Sequence, residues 1–261
     1  MILCVLFAFA LIATIVLVLL DHSLLLWSVL ILAGLWAGLV ILAILFLFVC
    51  SLFCRVKRPV KRDSPFYRAL AYLTMDGILT FFRLHVCGDG VERVPREPCV
   101  IVSNHLSRFD PMVVFKLLPG TRLGFVSKKE NMRIPIAGPI TQRIGFVPLD
   151  RENPLRAMRT IHAAARLVSE KDFTMGIYPE GTRSRTGELL EFKTGAFVMA
   201  KKAAVPVVIS RISGTRDYPG RFPLRSTDVL WEVLEVLPAD RVAAMKPEEL
   251  ARYCHDRIAE K

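Results

Sequence analysis

His105 and Asp110 stand five positions apart in S-N-H-L-S-R-F-D-P, residues 103–111, directly after the apolar run Val100, Ile101 and Val102. An imidazole titrates near neutral pH, at about 6.5 when unperturbed, so His105 is suited to act as a general base. A carboxylate on the other ring nitrogen would fix the tautomer and stabilise the imidazolium that forms. The spacing puts His105 at a strand end and Asp110 at the start of the following helix, where a tight loop can bring them together. An Asp before Pro111 is also a good helix N-cap. A carboxylate has two oxygens, so the roles are compatible, and these nine residues do not choose between them.

Cations gather at three other places. In I-Y-P-E-G-T-R-S-R-T-G-E-L-L-E-F-K-T-G-A, residues 177–196, a turn at Pro179 and Gly181 brings Glu180, Thr182, Arg183, Ser184 and Arg185 together. A guanidinium can hold a phosphate through two parallel bonds, and hydroxyls can add donors. A solvated polar loop is the alternative. G-F-V-P-L-D-R delivers Asp150 and Arg151, and S-K-K-E delivers Lys128 and Lys129, each at the end of an apolar run. Several strands ending in cations predict an anion site at one edge of a sheet. Cations scattered over opposite faces would refute it. The chain has no G-x-x-x-x-G-K-[ST], G-x-S-x-G or G-x-G-x-x-G, which argues against nucleotide, serine-hydrolase and dinucleotide chemistry. Its six cysteines form no C-x-x-C pair, and no histidine cluster has zinc spacing, so they are expected to be reduced, in a cytoplasmic setting.

These residues need a scaffold. Strands are expected at 99–103, 124–128, 145–149, 173–179, 205–210 and 229–237, with helical stretches between them. One helix opens at Asn153-Pro154 and places Leu155, Met158, Ile161, Ala165 and Val168 on one face. The last carries Pro247 near its start and Leu250, Cys254 and Ile258 on one side. This alternation predicts an α/β fold: a mixed, partly parallel sheet flanked by helices.

The first 54 residues differ in kind. Their only charge is Asp21, and two long apolar segments flank Asp21, His22 and Ser23. Each is long enough to cross a hydrocarbon core, so a membrane helical hairpin is expected over 1–54 rather than a cleaved signal. Gly34 and Gly38 have the G-x-x-x-G spacing that lets two helices approach, although glycine is also common in membrane helices. Arg55, Lys57, Arg58, Lys61 and Arg62 follow, which predicts a cell-membrane protein whose catalytic domain faces the cytoplasm. Residues 55–84 form a basic and amphipathic connector, resting on the bilayer or packed on the core, and 85–261 the α/β domain. The net charge of +11 becomes +12 once the first 54 residues are set aside. With no nucleic-acid motif, the partners expected are anionic lipid and anionic substrate.

Taken in order, N-H-x-S-x-x-D, G-F-V-P-L-D-R, Y-P-E-G-T-R-S, F-K-T-G-A and V-P-V resemble the glycerolipid acyltransferases, most of all the lysophosphatidate acyltransferases. The resemblance covers roughly residues 85–215. It implies that His105 is the base and Asp110 its orienting partner, with Asn104 and Ser107 supporting the loop. Arg151 matches the second-motif arginine. Glu180, Gly181, Thr182 and Arg183 match the third motif, associated with the glycerol phosphate. Lys128 matches a lysine found before the second motif, and Pro206 falls in the fourth. The implied reaction transfers an acyl chain from acyl-CoA or acyl-carrier protein to the sn-2 hydroxyl of lysophosphatidate, with no metal or other cofactor. Another lysophospholipid or an amino-acid lipid is the alternative acceptor. A metal-dependent phosphoesterase and a non-enzymatic lipid-binding protein remain as rivals.

Overall fold

The structure is a computed structural model that describes residues 28–54 and 63–260, with scattered helical positions between 5 and 19. A long apolar helix, α1 (Ser28–Leu52), comes first, and its stretch Leu30–Leu52 is long and apolar enough to cross a membrane. It is the one such helix among the described residues. The turn at 21–23, most of the first half of the expected hairpin and the basic run at 55–62 lie outside them. Nothing approaches within 4 Å of where a Cβ would stand on Gly34 or Gly38, so the described residues do not use this pair for close helix contact.

The α/β part contains α2 (Pro65–Phe81), β1 (Leu84–Asp89), β2 (Val100–Ser103), α3 (Asp110–Leu117), β3 (Leu123–Lys128), α4 (Ala137–Arg143), β4 (Val147–Leu149) and α5 (Pro154–Lys171). It continues with β5 (Thr174–Ile177), α6 (Gly195–Ala203), β6 (Val207–Ser213), α7 (Tyr218–Arg221), β7 (Thr227–Leu237), α8 (Ala239–Ala244) and α9 (Pro247–Ala259). The seven strands form one mixed sheet in the order β1-β7-β6-β2-β5-β3-β4. Strands β2 to β6 all run in one direction, whereas β7 is antiparallel to β6 and parallel to β1. All six expected strands are present. Strand β1 is an addition: an edge strand whose L-H-V-C-G-D is too mixed to stand out, and which is held by the longer β7.

Helices cover both faces. Ile101, Val208 and Ile212 turn toward Leu79, Val113 and Phe115 of α2 and α3, while Val100, Val102, Val207 and Ile209 turn toward α5, α6 and α9. Strand β2 is therefore buried on both sides, which is why it reads as an unbroken apolar run. Helix α2 belongs to this core through Ala71, Met75 and Leu79, so packing shows no break at 84/85. Arg68 secures it: its guanidinium grips the Asp63 carboxylate and donates to the carbonyls of Thr121, Leu123 and Ile144.

Helix α5 begins as expected, with Asn153 Oδ1 accepting from the Arg156 N–H at 3.0 Å. Its apolar face is covered only in part. Ile161, Ala165 and Val168 are buried, but Leu155 is 76% exposed and Met158 41%. In α9, Leu250, Cys254 and Ile258 are all buried. The five described cysteines are free.

Candidate active site

Because β2 to β6 are parallel, the loops after them share one sheet edge. His105 and Asp110 follow β2, Lys128 ends β3, Arg151 follows β4, Glu180 to Arg183 follow β5 and Thr215 follows β6.

His105 Nδ1 lies 2.7 Å from Asp110 Oδ2, with the Asp110 side chain fully buried and the imidazole partly exposed. The same oxygen accepts from the backbone N–H groups of Leu106 at 2.7 Å and Ser107 at 2.8 Å. The other oxygen, Oδ1, accepts from the Thr215 hydroxyl at 2.6 Å. This corrects the helix-cap expectation. Asp110 is the first residue of α3, and its side chain caps nothing in that helix. It turns back because the two loop amides and the imidazole converge on it, which keeps a buried carboxylate satisfied. With Nδ1 occupied, Nε2 has no protein partner among the described residues.

The backbone of His105 is clamped from β5. Its N–H donates to Glu180 Oε1 at 2.6 Å, and its carbonyl accepts from the Ser184 N–H at 2.8 Å. Glu180 Oε2 accepts from the Leu190 N–H at 3.1 Å. Glu180 therefore does not face a substrate: it is buried, and both oxygens are used inside the protein. Desolvation raises its carboxyl pKa, and the two N–H bonds pull it partly back. Asn104 fixes the other side, donating to the Ile212 carbonyl at 2.9 Å and accepting from the Ile212 N–H at 2.8 Å. Ser107 Oγ accepts weakly from the Phe109 N–H at 3.3 Å. Gly181 carries φ +70, a left-handed conformation that a β-carbon would strain.

A cavity of about 760 Å³ opens beside the dyad, with Leu106 to Phe109, Thr182 to Arg185, Thr215 and Arg216 in its wall. Ile78, Phe82, Met112, Tyr218 and Pro219 supply an apolar side. His105 stands at the margin, with its sequence neighbour Leu106 and its hydrogen-bond partner Ser184 lining the space. Arg183 is joined there by Arg108, Arg185 and Arg216. Lys128 and Arg151 share the edge but not the cavity: β5 and β3 place them two and three strands from β2, about 10 and 14 Å at ordinary strand spacing. Lys128 lies 3.6 Å from Glu130. Crowding around Arg151 lowers its guanidinium pKa through desolvation, against the pull of Glu130.

Sequence reasoning assigned no role to three features. Tyr178 stacks on the imidazole, with ring centroids 4.2 Å apart and planes 13° from parallel, and burial raises its phenol pKa well above the usual range. It stands in Y-P-E-G-T-R-S, beside residues that drew attention for their charge. Arg108 lies inside S-N-H-L-S-R-F-D-P. Thr215 gave only the signal of a polar residue just beyond a strand end, where Gly214 at φ +84 turns the chain. T215V is expected to leave Asp110 Oδ1 unpaired and lower stability by about 1–3 kcal/mol, with T215S restoring it. Thermal unfolding of the three proteins checks this, and an unchanged T215V midpoint would contradict it.

The acyltransferase family model matches residues 85–213, the span that holds both loops. A 1-acyl-sn-glycerol-3-phosphate acyltransferase of Haemophilus influenzae is 32% identical over 177 residues, covering 64% of this chain and 73% of that protein. The chain belongs to the acyltransferase family. A human relative, 1-acyl-sn-glycerol-3-phosphate acyltransferase beta, is 35% identical over 162 residues, or 61% of this chain and 58% of that one. The crystal structure of the 1-acyl-sn-glycerophosphate (LPA) acyltransferase PlsC from Thermotoga maritima shares the fold, with a TM-score of 0.62 at 24% identity over 82% of this chain and 84% of that one. The acyltransferase thus carries its His105–Asp110 pair and the Glu180 clamp within the segment that defines the family.

Proposed function

We propose that the enzyme transfers an acyl chain from a thioester, acyl-CoA or acyl-carrier protein, to the sn-2 hydroxyl of lysophosphatidate, giving phosphatidate. The observation that carries this reading is a His–Asp pair, its carboxylate buried and its imidazole partly exposed, beside a cavity that holds four arginines and an apolar wall. The arginines suit a phosphomonoester and the apolar wall suits lipid. The curated relatives are named for this reaction.

In this mechanism the acceptor phosphate rests on Arg183, and Thr182 adds a hydroxyl. His105 Nε2 takes the proton of the acceptor hydroxyl as its oxygen attacks the thioester carbonyl. The tetrahedral intermediate expels the thiolate, which receives the proton back from the imidazolium. Asp110 stabilises that imidazolium and holds Nδ1–H in place. Positioning through the phosphate makes the attack effectively intramolecular. No metal or other cofactor enters these steps. Lys128 and Arg151 lie farther along the edge, where they suit the acidic donor. Helix α1 and the basic residues after it favour a membrane-inserted enzyme with its site at the cytoplasmic face.

The test is acyl transfer by the purified enzyme, offering lysophosphatidate and lysolipids without a phosphomonoester, each with both thioesters. Lysophosphatidate is expected to be preferred. Arg183→Ala should raise the KM for lysophosphatidate by about 10–100-fold, the range of a lost charge-assisted hydrogen bond, and leave the donor KM unchanged. A change confined to the donor KM would move Arg183 away from the acceptor phosphate.

A further inference from the structure

We propose that Phe81 and the loop 221–225 form a second contact with an anionic bilayer, at the mouth of the cavity. Leu224 is 87% exposed and Phe81 52% exposed, among the most solvated large apolar side chains of the α/β part. The segment between Asp217 and Asp228 has only two charges, Arg221 and Arg225, and Arg83 adds a third cation beside Phe81. All three arginines are exposed, and none pairs with an acid among the described residues. Exposed leucine and phenylalanine with exposed arginines a few residues away in the chain suit the lipid interface: the apolar groups enter the acyl boundary and the guanidinium groups meet anionic headgroups.

Two features tie this patch to the membrane and to the site. Along α2, Phe66 and Phe81 are the exposed aromatics at opposite ends, about 22 Å apart and about 60° apart around the axis. Tyr67, beside Phe66, donates its hydroxyl to the Cys50 carbonyl at the end of α1, so one side of α2 leads from the apolar helix to the loop. On the inner side, Phe222 meets Phe81 at 5.9 Å and Phe82 at 5.2 Å, and Phe82 meets Tyr218 and Phe109. Phe82, Phe109 and Tyr218 line the cavity. The patch is therefore the outer surface of the cavity's apolar wall. The bilayer contact rests on this surface alone. Its consequence, that a lysolipid slides sideways from the leaflet into the cavity, rests on the acyl-transfer reading.

The test places the full-length enzyme, with Cys4 and Cys87 replaced by serine, in nanodiscs that carry spin-labelled lipid. Leu224→Cys bears a fluorophore, and Asp240→Cys on α8 serves as the exposed control. In anionic discs, quenching at 224 is expected to exceed that at 240 several-fold, and to fall in zwitterionic discs. Equal quenching at 224 and 240 overturns the contact, and strong quenching regardless of lipid charge overturns the part assigned to the arginines. L224D should raise the apparent KM for disc-embedded lysophosphatidate several-fold and spare a water-soluble short-chain analogue. An equal rise for both would show that the loop acts on the cavity rather than on the bilayer. Quenching needs no turnover, so it separates a failed contact from a failed substrate assignment.

Discussion

Replacing His105 with alanine is expected to slow acyl transfer by about 10²–10⁴-fold, the contribution of a positioned general base. The protein should still fold, because the His105 backbone is held independently of its ring contacts to Asp110 and Tyr178. Glu180 and Ser184 bind its N–H and carbonyl, and neither bond needs the imidazole. Asp110 also keeps its partners: Leu106, Ser107 and Thr215 still donate to the carboxylate. The KM for lysophosphatidate should change little, since the cavity arginines are untouched. Steady-state kinetics and thermal unfolding of the same preparation check both halves. Activity near that of the wild type would remove His105 from the base role, and a collapse of the fold would show that the ring supports the loop.

The sequence disclosed this site to the extent that its interactions are local. His105 and Asp110 lie within one loop and one helix start, so their spacing alone made the contact possible. Glu180 is 75 positions from His105, and its place in the third motif put it in the phosphate-binding group. Only the adjacency of β2 and β5 reveals that its carboxylate receives the His105 amide. Thr215 lies 105 positions from Asp110, and nothing nearby announces it; β6 brings it in as the other neighbour of β2. The shared edge for the cations followed from parallel strands. Their separation did not, because β5 inserts between β2 and β3 and carries Lys128 and Arg151 away from the dyad. Helix periodicity likewise located the core face of α5 but not how much of that face is covered, and so missed the exposure of Leu155 and Met158.

Asp110→Asn separates the two functions of this carboxylate. An amide can place its oxygen where Oδ2 stands, accepting from Leu106, Ser107 and the imidazole, and point its NH₂ at Thr215. The Thr215 hydroxyl then rotates to accept, since a hydroxyl works in either sense. The loop geometry and the Nδ1–H tautomer survive, and only the negative charge opposite the imidazolium is lost. The rate should fall by about 10²–10⁴-fold while stability changes by ~1 kcal/mol or less, because removing a buried charge offsets the weaker bonds. Asp110→Ala differs: two buried loop amides lose their acceptor at a cost of about 1–3 kcal/mol each, so the fold weakens along with the rate. If Asp110 acts through His105, the His105→Ala, Asp110→Asn double mutant should be no slower than His105→Ala alone, since a unit that has lost its base cannot lose it again. Losses that multiply in the double mutant would mean that Asp110 contributes along a separate path, and the pair would no longer be a dyad.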